Sequence, residues 1–288
     1  MERVFKFKTL LGQKNLDFSI ECLRSFLENS IDKIELQIFE DGTLTTADHT
    51  KLVSSLKNTT VIMKNEREDT IYRILSNYPY CQMYRTSSPY AQKLFDVMLY
   101  NDSNLFFIDS DIYFLCKFKL PEFGNIPAFI LDKQNAYAFT PSQFLTIHDP
   151  IFPRVNSGLF YFPRRYFSLD LLERLLSEGL WKKKGIISWL EQTLWAFLAG
   201  QSDRIGYFDD SQIMMARQNL SVDDKTIAVH LVSSYRFHFQ FLKSLTRNNP
   251  ENGIQNIKLV STRNFLNKYE FVADRLKKRI YRNMGISQ

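Results

Sequence analysis

The sequence predicts an α/β fold built on a mixed, mainly parallel sheet with helices covering both faces. Short β-rich runs alternate with stretches of helical periodicity, and the most polar motifs follow directly on apolar, strand-like runs. No Gly/Ser-rich or Pro-rich linker, internal repeat or low-complexity tract divides the 288 residues, so they read as one unit.

The elements follow in order. Val4 to Phe7 reads as a strand, and Leu16, Ile20, Leu23 and Leu27 recur at helical spacing. Ile34 to Phe39 is a second strand, Leu52, Val53 and Leu56 a second helix, and Val61 to Met63 a third strand. Ser88-Pro89 reads as an N-cap and first helical position ahead of Leu94, Val97 and Met98, with Leu105 to Ile108 as the next strand. Alternation of this kind implies parallel pairing, because parallel strands need a crossover that a helix supplies.

In the second half, Ala128 to Leu131, Gly158 to Phe162 and Thr226 to Leu231 are strand candidates. Ser168 is placed to cap a helix through Leu171, Leu172, Leu175 and Leu176 that stops at Gly179, and Ile187 to Leu198 is closed by Gly200. A last helix over Asn264 to Arg282 lines up Phe265, Tyr269, Val272, Leu276 and Ile280 on one stripe.

Hydrophobic residues at 44% and charged residues at 24% describe an ordinary globular protein, not a disordered or fibrous one. Cys22, Cys81 and Cys116 are odd in number and far apart, so neither a disulfide framework nor a zinc cluster is indicated and a reducing cytoplasm is expected. Glu2, Arg3, Lys6 and Lys8 interrupt the start, and no apolar run is long enough to span a membrane. The net charge is +6, and residues 258–288 carry eight Lys/Arg against Glu270 and Asp274, a surplus equal to the whole net charge. The expected division is therefore a single neutral domain over 1–257 and a basic amphipathic segment over 258–288. Such a pattern points away from nucleic acid and toward an anionic surface, as on the inner face of a membrane.

The sharpest motif is Leu105-Phe-Phe-Ile followed by Asp109-Ser110-Asp111, an apolar strand delivering two carboxylates at its end. Two acids at i and i+2 on a continuing strand point the same way and repel, so the pair asks for a cation between them. Oxygen ligands suit Mg²⁺ or Mn²⁺, which leave positions for phosphate oxygens, and the carboxyl end of a strand is where open α/β sheets bind ligands. The competing reading is a solvated Asp-Ser-Asp turn. A second motif, Asn156-Ser157-Gly158 ahead of Leu-Phe-Tyr-Phe, again joins small polar residues to a buried strand.

With these two motifs in order, the chain resembles the GT-A fold glycosyltransferases, most of all the family 8 retaining enzymes of the galactosyltransferase and glycogenin group. The matching motifs span residues 90–236. The resemblance implies a GT-A type Rossmann-like sheet, a nucleotide-sugar donor, and a divalent cation held by Asp109, Asp111 and His230. It puts Asn156, Ser157 and Gly158 beside the donor sugar and acceptor, with Ser110 among the substrate-binding residues. It also implies catalytic roles for Glu191, at the donor-sugar hydroxyls, and Gln192, near the anomeric carbon. Arg236 falls where the family places a Lys on the diphosphate.

The sequence departs from the family pattern at several points. Ser233 stands for a Gly, no Pro-Trp follows Arg236, and Glu191 is longer than the usual Asp. Gln92 stands where the family has Arg, which makes Lys93 the substitute cation facing the donor. The first strand lacks its expected Asp, so the nucleotide-contacting role passes to Asp41 in Glu40-Asp41-Gly42.

Three other readings compete. A haloacid-dehalogenase-like phosphatase would use Asp109 and Asp111 with Asp209-Asp210, though Tyr113 replaces the Thr or Val it expects. An inverting enzyme would need Glu191 or Asp149 as a base. A fold without turnover would bind a glycan or an anionic surface.

Overall fold

The structure, a computed structural model, describes residues 3–177, 187–245 and 253–283. Its first half runs β1 (Val4–Leu11), α1 (Leu16–Asn29), β2 (Lys33–Glu40), α2 (Thr46–Ser55), β3 (Thr59–Ile62), α3 (Lys64–Ile74), α4 (Pro79–Ser87), α5 (Pro89–Leu94), α6 (Asp96–Leu99) and β4 (Leu105–Ile108). It continues through β5 (Ile112–Phe114), β6 (Phe118–Lys119), β7 (Ala128–Leu131), α7 (Pro141–Thr146), β8 (Val155–Phe162), α8 (Leu169–Ser177), α9 (Ile187–Ala199), β9 (Ile205–Phe208), β10 (Ile213–Met215) and β11 (Ala228–His230). A 3-10 turn (Ser233–His238), α10 (Phe239–Ser244), β12 (Gln255–Asn256), β13 (Leu259–Thr262) and α11 (Lys268–Asn283) complete it.

Eight strands form the main sheet in the order β13-β9-β7-β8-β4-β1-β2-β3. The pairs β1–β2, β1–β4, β2–β3 and β7–β9 are parallel, whereas β8 runs antiparallel to both neighbours and β13 antiparallel to β9. The expected mixed, mainly parallel sheet with flanking helices is what forms. Side-chain alternation splits the core between its faces. Leu105 and Phe107 enter the layer containing Trp195 and Leu172, while Ile108 joins the layer of Phe7, Phe26 and Phe114. Every residue of β8 is buried, as expected of a strand covered on both sides.

Two small ladders hang on this sheet. β10, β11 and β5 make a three-stranded sheet in which Ile112 pairs with His230. β12 pairs with β6.

Several elements differ from their sequence expectations. β1 runs on to Leu11, past Phe7, because β2 continues beside it to Glu40. The second helix begins at a Thr45/Asp48 capping box and leaves Val53 58% exposed, so its buried contact is Leu52 alone. Ser88 occupies the N-cap position of α5 with extended backbone and makes no capping bond through its side chain. Ser168, by contrast, accepts from Leu171 N. Gly179, expected as a helix stop, lies outside the described residues.

The boundary expected after residue 257 falls just ahead of β13, which forms the edge of the main sheet. The helix that follows it, α11, packs on α7 with Phe271 and Val272 buried, while Phe265, Tyr269 and Leu276 stay 42%, 78% and 46% exposed. Of the expected stripe, Val272 is buried and Phe265, ahead of the helix, packs on buried Phe152 with ring centroids 4.6 Å apart, while Tyr269 and Leu276 stay exposed; the Ile280 side chain lies outside the described ones.

A buried ionic knot fixes α5 and α6 against β2. Asp96, fully buried, accepts from Arg67 Nε at 3.0 Å and Arg85 Nε at 2.7 Å. Arg67, also fully buried, donates to the carbonyls of Ile62 and Glu40 and to Gln92 Oε1. Removing the shared acid leaves the fully buried Arg67 guanidinium without a counter-charge, while Arg85 keeps Glu68 at 2.7 Å. Asp96→Asn is expected to lower unfolding stability by about 3–5 kcal/mol. Urea denaturation of parent and variant measures it, and a loss within experimental error would contradict this account of the knot.

Candidate functional site

The main-sheet register assembles the site. Asp109 leaves the end of β4, and its backbone N–H donates to Gly158 O at 2.6 Å, so β8 delivers Asn156-Ser157-Gly158 alongside it. Opposite β7, the ladder passes from Phe129↔Phe160 to Ile130↔Asn156, which leaves residues 157–159 without a paired residue in β7. That irregularity frees Ser157 and Gly158 from a flat pleat. From the other side, β11 pairs with β5, and Leu231 N donates to Asp111 O at 2.8 Å. His230 is thereby carried to the two carboxylates.

His230 Nε2 lies 3.1 Å from Asp111 Oδ1 and 3.8 Å from Asp109 Oδ2. One ligand atom from each of Asp109, Asp111 and His230 falls within 4.8 Å of the others. Two hard oxygens and one imidazole in this arrangement fit a divalent cation. Gly158 is required here: a Cβ on it would sit 2.2 Å from His230 Cε1. The small residue of the second motif is thus what lets the imidazole lie across β8.

Below the carboxylates lies Lys93, on α5. Its ammonium donates to Asp109 Oδ1 at 3.1 Å, to Ser157 O at 2.5 Å and to Ser157 Oγ at 3.2 Å, with Glu191 Oε1 at 3.7 Å. Glu191, on α9, accepts from Ser157 Oγ at 2.8 Å. The neighbouring Gln192 is pinned at both ends of its amide, accepting from Asn156 Nδ2 and donating to Ala136 O, each at 3.2 Å. Arg236, in the 3-10 turn, donates to Asp111 Oδ2 at 2.9 Å.

Burial and charge divide the acids. Burial pushes the Glu191 carboxyl up to about 7, with Lys93 opposing. Burial also raises Asp109, against the pull of Lys93 and with the repulsion of Asp111. At Asp111 the burial penalty is overridden by His230 and Arg236, and its carboxyl falls below the ordinary range. Burial works against charge on Lys93, yet Asp109 and Glu191 hold its ammonium above the usual lysine value.

These groups line a cleft of about 740 Å³. Of the residues singled out in the sequence, Asp109, Ser110, Asp111, Lys93, Asn156, Ser157, Gly158, Glu191, Gln192, His230 and Arg236 all line it. Asp41 does not: its carboxylate accepts from Thr43 N and Oγ1 in a turn after β2. Asp149 pairs instead with Arg174 at 2.8 Å, outside the lining. Asp209 accepts from Ser211, and neither it nor Asp210 reaches the cleft, which removes the acidic pair a phosphatase would need beside Asp109.

Sequence reasoning missed Asp132, Tyr90, Trp189 and Tyr235, which also line the cleft. Asp132 carried a readable signal, since an apolar strand run ending in an acid repeats the pattern that ends in Asp109. The aromatics carried none, because an exposed ring and a core ring look alike in a Phe-rich and Tyr-rich chain.

No protein-family model matches the sequence, and no curated protein matches it either. In three dimensions the chain is similar to a galactosyltransferase, LgtC, solved with donor and acceptor sugar analogues. The TM-score is 0.53 at 10% identity, over 86% of this chain and 98% of that one. An active-site variant of the same enzyme gives a TM-score of 0.50 at 11% identity, again over 86% and 98%. The likeness is one of fold, a Rossmann-like GT-A sheet with its flanking helices.

The Glu191 environment has a thermodynamic consequence. Its folded-state value of about 7 lies above the ordinary 4.5, so its favourable contribution is complete below about 4.5 and is lost as pH rises through 7. Glu191→Gln removes that loss. The variant is expected to gain stability relative to the parent between pH 5 and pH 8, on the order of 1 kcal/mol or more. Thermal unfolding of both proteins across that range checks the slope.

Proposed function

We propose that this chain is a divalent-metal-dependent glycosyltransferase that moves a sugar from a nucleoside-diphosphate donor to an acceptor hydroxyl. The observation carrying this reading is the convergence of Asp109, Asp111 and His230 at the carboxyl end of β4, directly above a buried lysine. The fold similarity to a galactosyltransferase supports it.

Departure of a nucleoside diphosphate builds negative charge on the β-phosphate and positive charge on the anomeric carbon. A cation on the three ligands, Mn²⁺ or Mg²⁺, supplies Lewis-acid stabilisation of the leaving charge. Lys93 adds a fixed positive charge from below, in a site where preorganised charge is worth more than in water. Arg236 meets the diphosphate from the cleft wall. Asn156, Ser157 and Gly158 border the sugar, Glu191 accepts from its hydroxyls, and Ser110 lines the same edge. Gln192, held by Asn156 and Ala136, presents a fixed amide dipole toward the reacting carbon. Asp149 lies outside the cleft and Glu191 is buried against Lys93, so neither of the two carboxylates an inverting attack would call on as a base stands free in the cleft. The proposed course is retention, with the acceptor entering on the face the diphosphate leaves. Asp41, beyond the cleft lining, is proposed to contact the nucleotide from the end of β2.

The proposed setting is cytoplasmic, with the protein resting peripherally on an anionic inner membrane face. Three free, buried cysteines fit a reducing compartment. α11 exposes Tyr269 and Leu276 within the segment that holds the whole positive surplus. Each basic residue near such a surface is worth about 1 kcal/mol.

Asp109→Asn, Asp111→Asn and His230→Ala are each expected to weaken Mn²⁺ and nucleoside-diphosphate binding together, by at least about tenfold. Calorimetric titration with each ligand, in variants shown folded by circular dichroism, decides it. Gln192→Ala in the same series keeps both affinities and loses turnover by about a hundredfold. Unchanged binding in all three ligand variants would remove the metal site.

For the membrane setting, Tyr269→Ser with Leu276→Ser leaves the buried face of α11 intact. The pair is expected to reduce co-sedimentation with anionic vesicles, and the pelleting that remains should fall with added salt. Equal pelleting of parent protein with anionic and neutral vesicles would refute the electrostatic part.

A further inference from the structure

In the structure each metal-ligating carboxylate already faces a cation of the protein itself. Lys93 Nζ is 3.1 Å from Asp109 Oδ1, and Arg236 is 2.9 Å from Asp111 Oδ2. The two pairings are built differently. Lys93 has a side chain only 5% exposed, and Ser157 holds its ammonium through two further hydrogen bonds. It cannot leave without abandoning a buried charge. The Arg236 side chain is 40% exposed, Asp111 is its one ion-pair partner among the described residues, and its Nε has no hydrogen-bond partner there.

The backbone that carries Arg236 is anchored on both sides. Tyr235 N donates to Val232 O at 3.0 Å, and His238 Nε2 bonds Arg217 O at 2.6 Å. Phe239 then packs edge-on against Phe18 and Tyr113, with centroids at 4.9 Å and 5.5 Å. A long side chain on a fixed turn can move its guanidinium while the turn stays still.

The charge balance sets the direction of that move. Arg236 stands on Asp111, and Lys93 stands on Asp109 while also facing Glu191 at 3.7 Å. A divalent cation arriving there alone adds positive charge beside these two and meets a guanidinium on one of its ligands. A diphosphate beside the cation reverses the balance, since it offers the guanidinium a bidentate anionic partner.

We infer that Arg236 is a tethered counter-cation on Asp111, which competes with the divalent cation for that carboxylate and is drawn off it by the diphosphate. This rests on the metal-site reading above. Arg236 then couples cation and diphosphate binding, so that each ligand raises the affinity for the other. It is a positioning and coupling residue, and its removal acts with opposite sign on the two ligands.

The experiment is a titration of the full chain with Mn²⁺, followed by the electron paramagnetic resonance signal of the free ion. It is run with and without saturating UDP, GDP and ADP in parallel, on parent, Arg236→Gln, Arg236→Lys and Asp111→Asn. Arg236→Gln is expected to bind Mn²⁺ alone about fivefold more tightly than the parent, the size of effect a half-exposed ion pair supports. The same variant should bind nucleoside diphosphate more weakly in the presence of Mn²⁺, so the mutual enhancement shrinks. Arg236→Lys, which keeps the charge, should stay close to the parent. If Arg236→Gln leaves Mn²⁺ affinity unchanged or lowers it while Asp111→Asn abolishes binding, the competition is refuted and the metal site stands. If Asp111→Asn binds Mn²⁺ as well as the parent, the metal-site reading fails and the inference falls with it.

Discussion

A lysine buried in the interior has to be neutralised where it lies, and Lys93 meets that requirement by drawing four elements together. Its ammonium, carried by α5, meets Asp109 from the end of β4, Ser157 from β8 and Glu191 from α9. Lys93 and Glu191 are each only 5% exposed in their side chains, so each depends on the other and on Ser157 to offset its burial, while Asp109 closes the unit from the cleft side. The burial that raises Asp109 and Glu191 is the burial that makes Lys93 necessary. The floor of the cleft is therefore an electrostatic unit whose members cannot be repositioned one at a time.

What holds Lys93 in reach is a second ionic unit on the far side of the same helices. Asp96 binds Arg67 and Arg85, and Arg67 reaches across to the carbonyl of Glu40 and the side chain of Gln92, the residue next to Lys93. The short helices α5 and α6, too brief to be stable alone, are fixed by side-chain charge more than by their own hydrogen bonds. This explains a substitution that looks costly in sequence. Gln92 stands where the resemblance expects an arginine, yet its amide closes the Arg67 network while Lys93 supplies the positive charge to the cleft.

The upper layer of the site depends on size. Gly158 lies under the His230 imidazole with no space for a Cβ, and Leu231 N ties β11 to Asp111 O. His230 Nδ1 is buried without a hydrogen-bond partner among the described residues, so packing on Gly158, the strand register and the Asp111 contact at Nε2 orient the ring. The Phe-rich interior serves the same rigidity: Phe107, Phe160 and Phe129 stack through the layer beneath Lys93, whose ammonium lies 4.5 Å from the Phe107 ring centroid.

By itself the sequence determined the alternation of strands and helices, the carboxyl-end placement of Asp109 and Asp111, and the order of motifs through His230. These are local facts, since period-2 and period-3.6 patterns and strand-end polar residues are written in consecutive positions. The same local logic failed at β1, whose length is set by its neighbour β2, and at α11, whose buried face is set by α7. It also could not distinguish Asp132, which lines the cleft, from Asp209, which does not, although both follow apolar strands. Only the tertiary structure decided those points. Which acids share a cleft depends on sheet order, and sheet order brings together residues such as Lys93, Ser157 and Glu191 that no window of sequence contains. The partner of each carboxylate was decided in the same way, because an ion pair forms between groups that burial leaves no other means to satisfy.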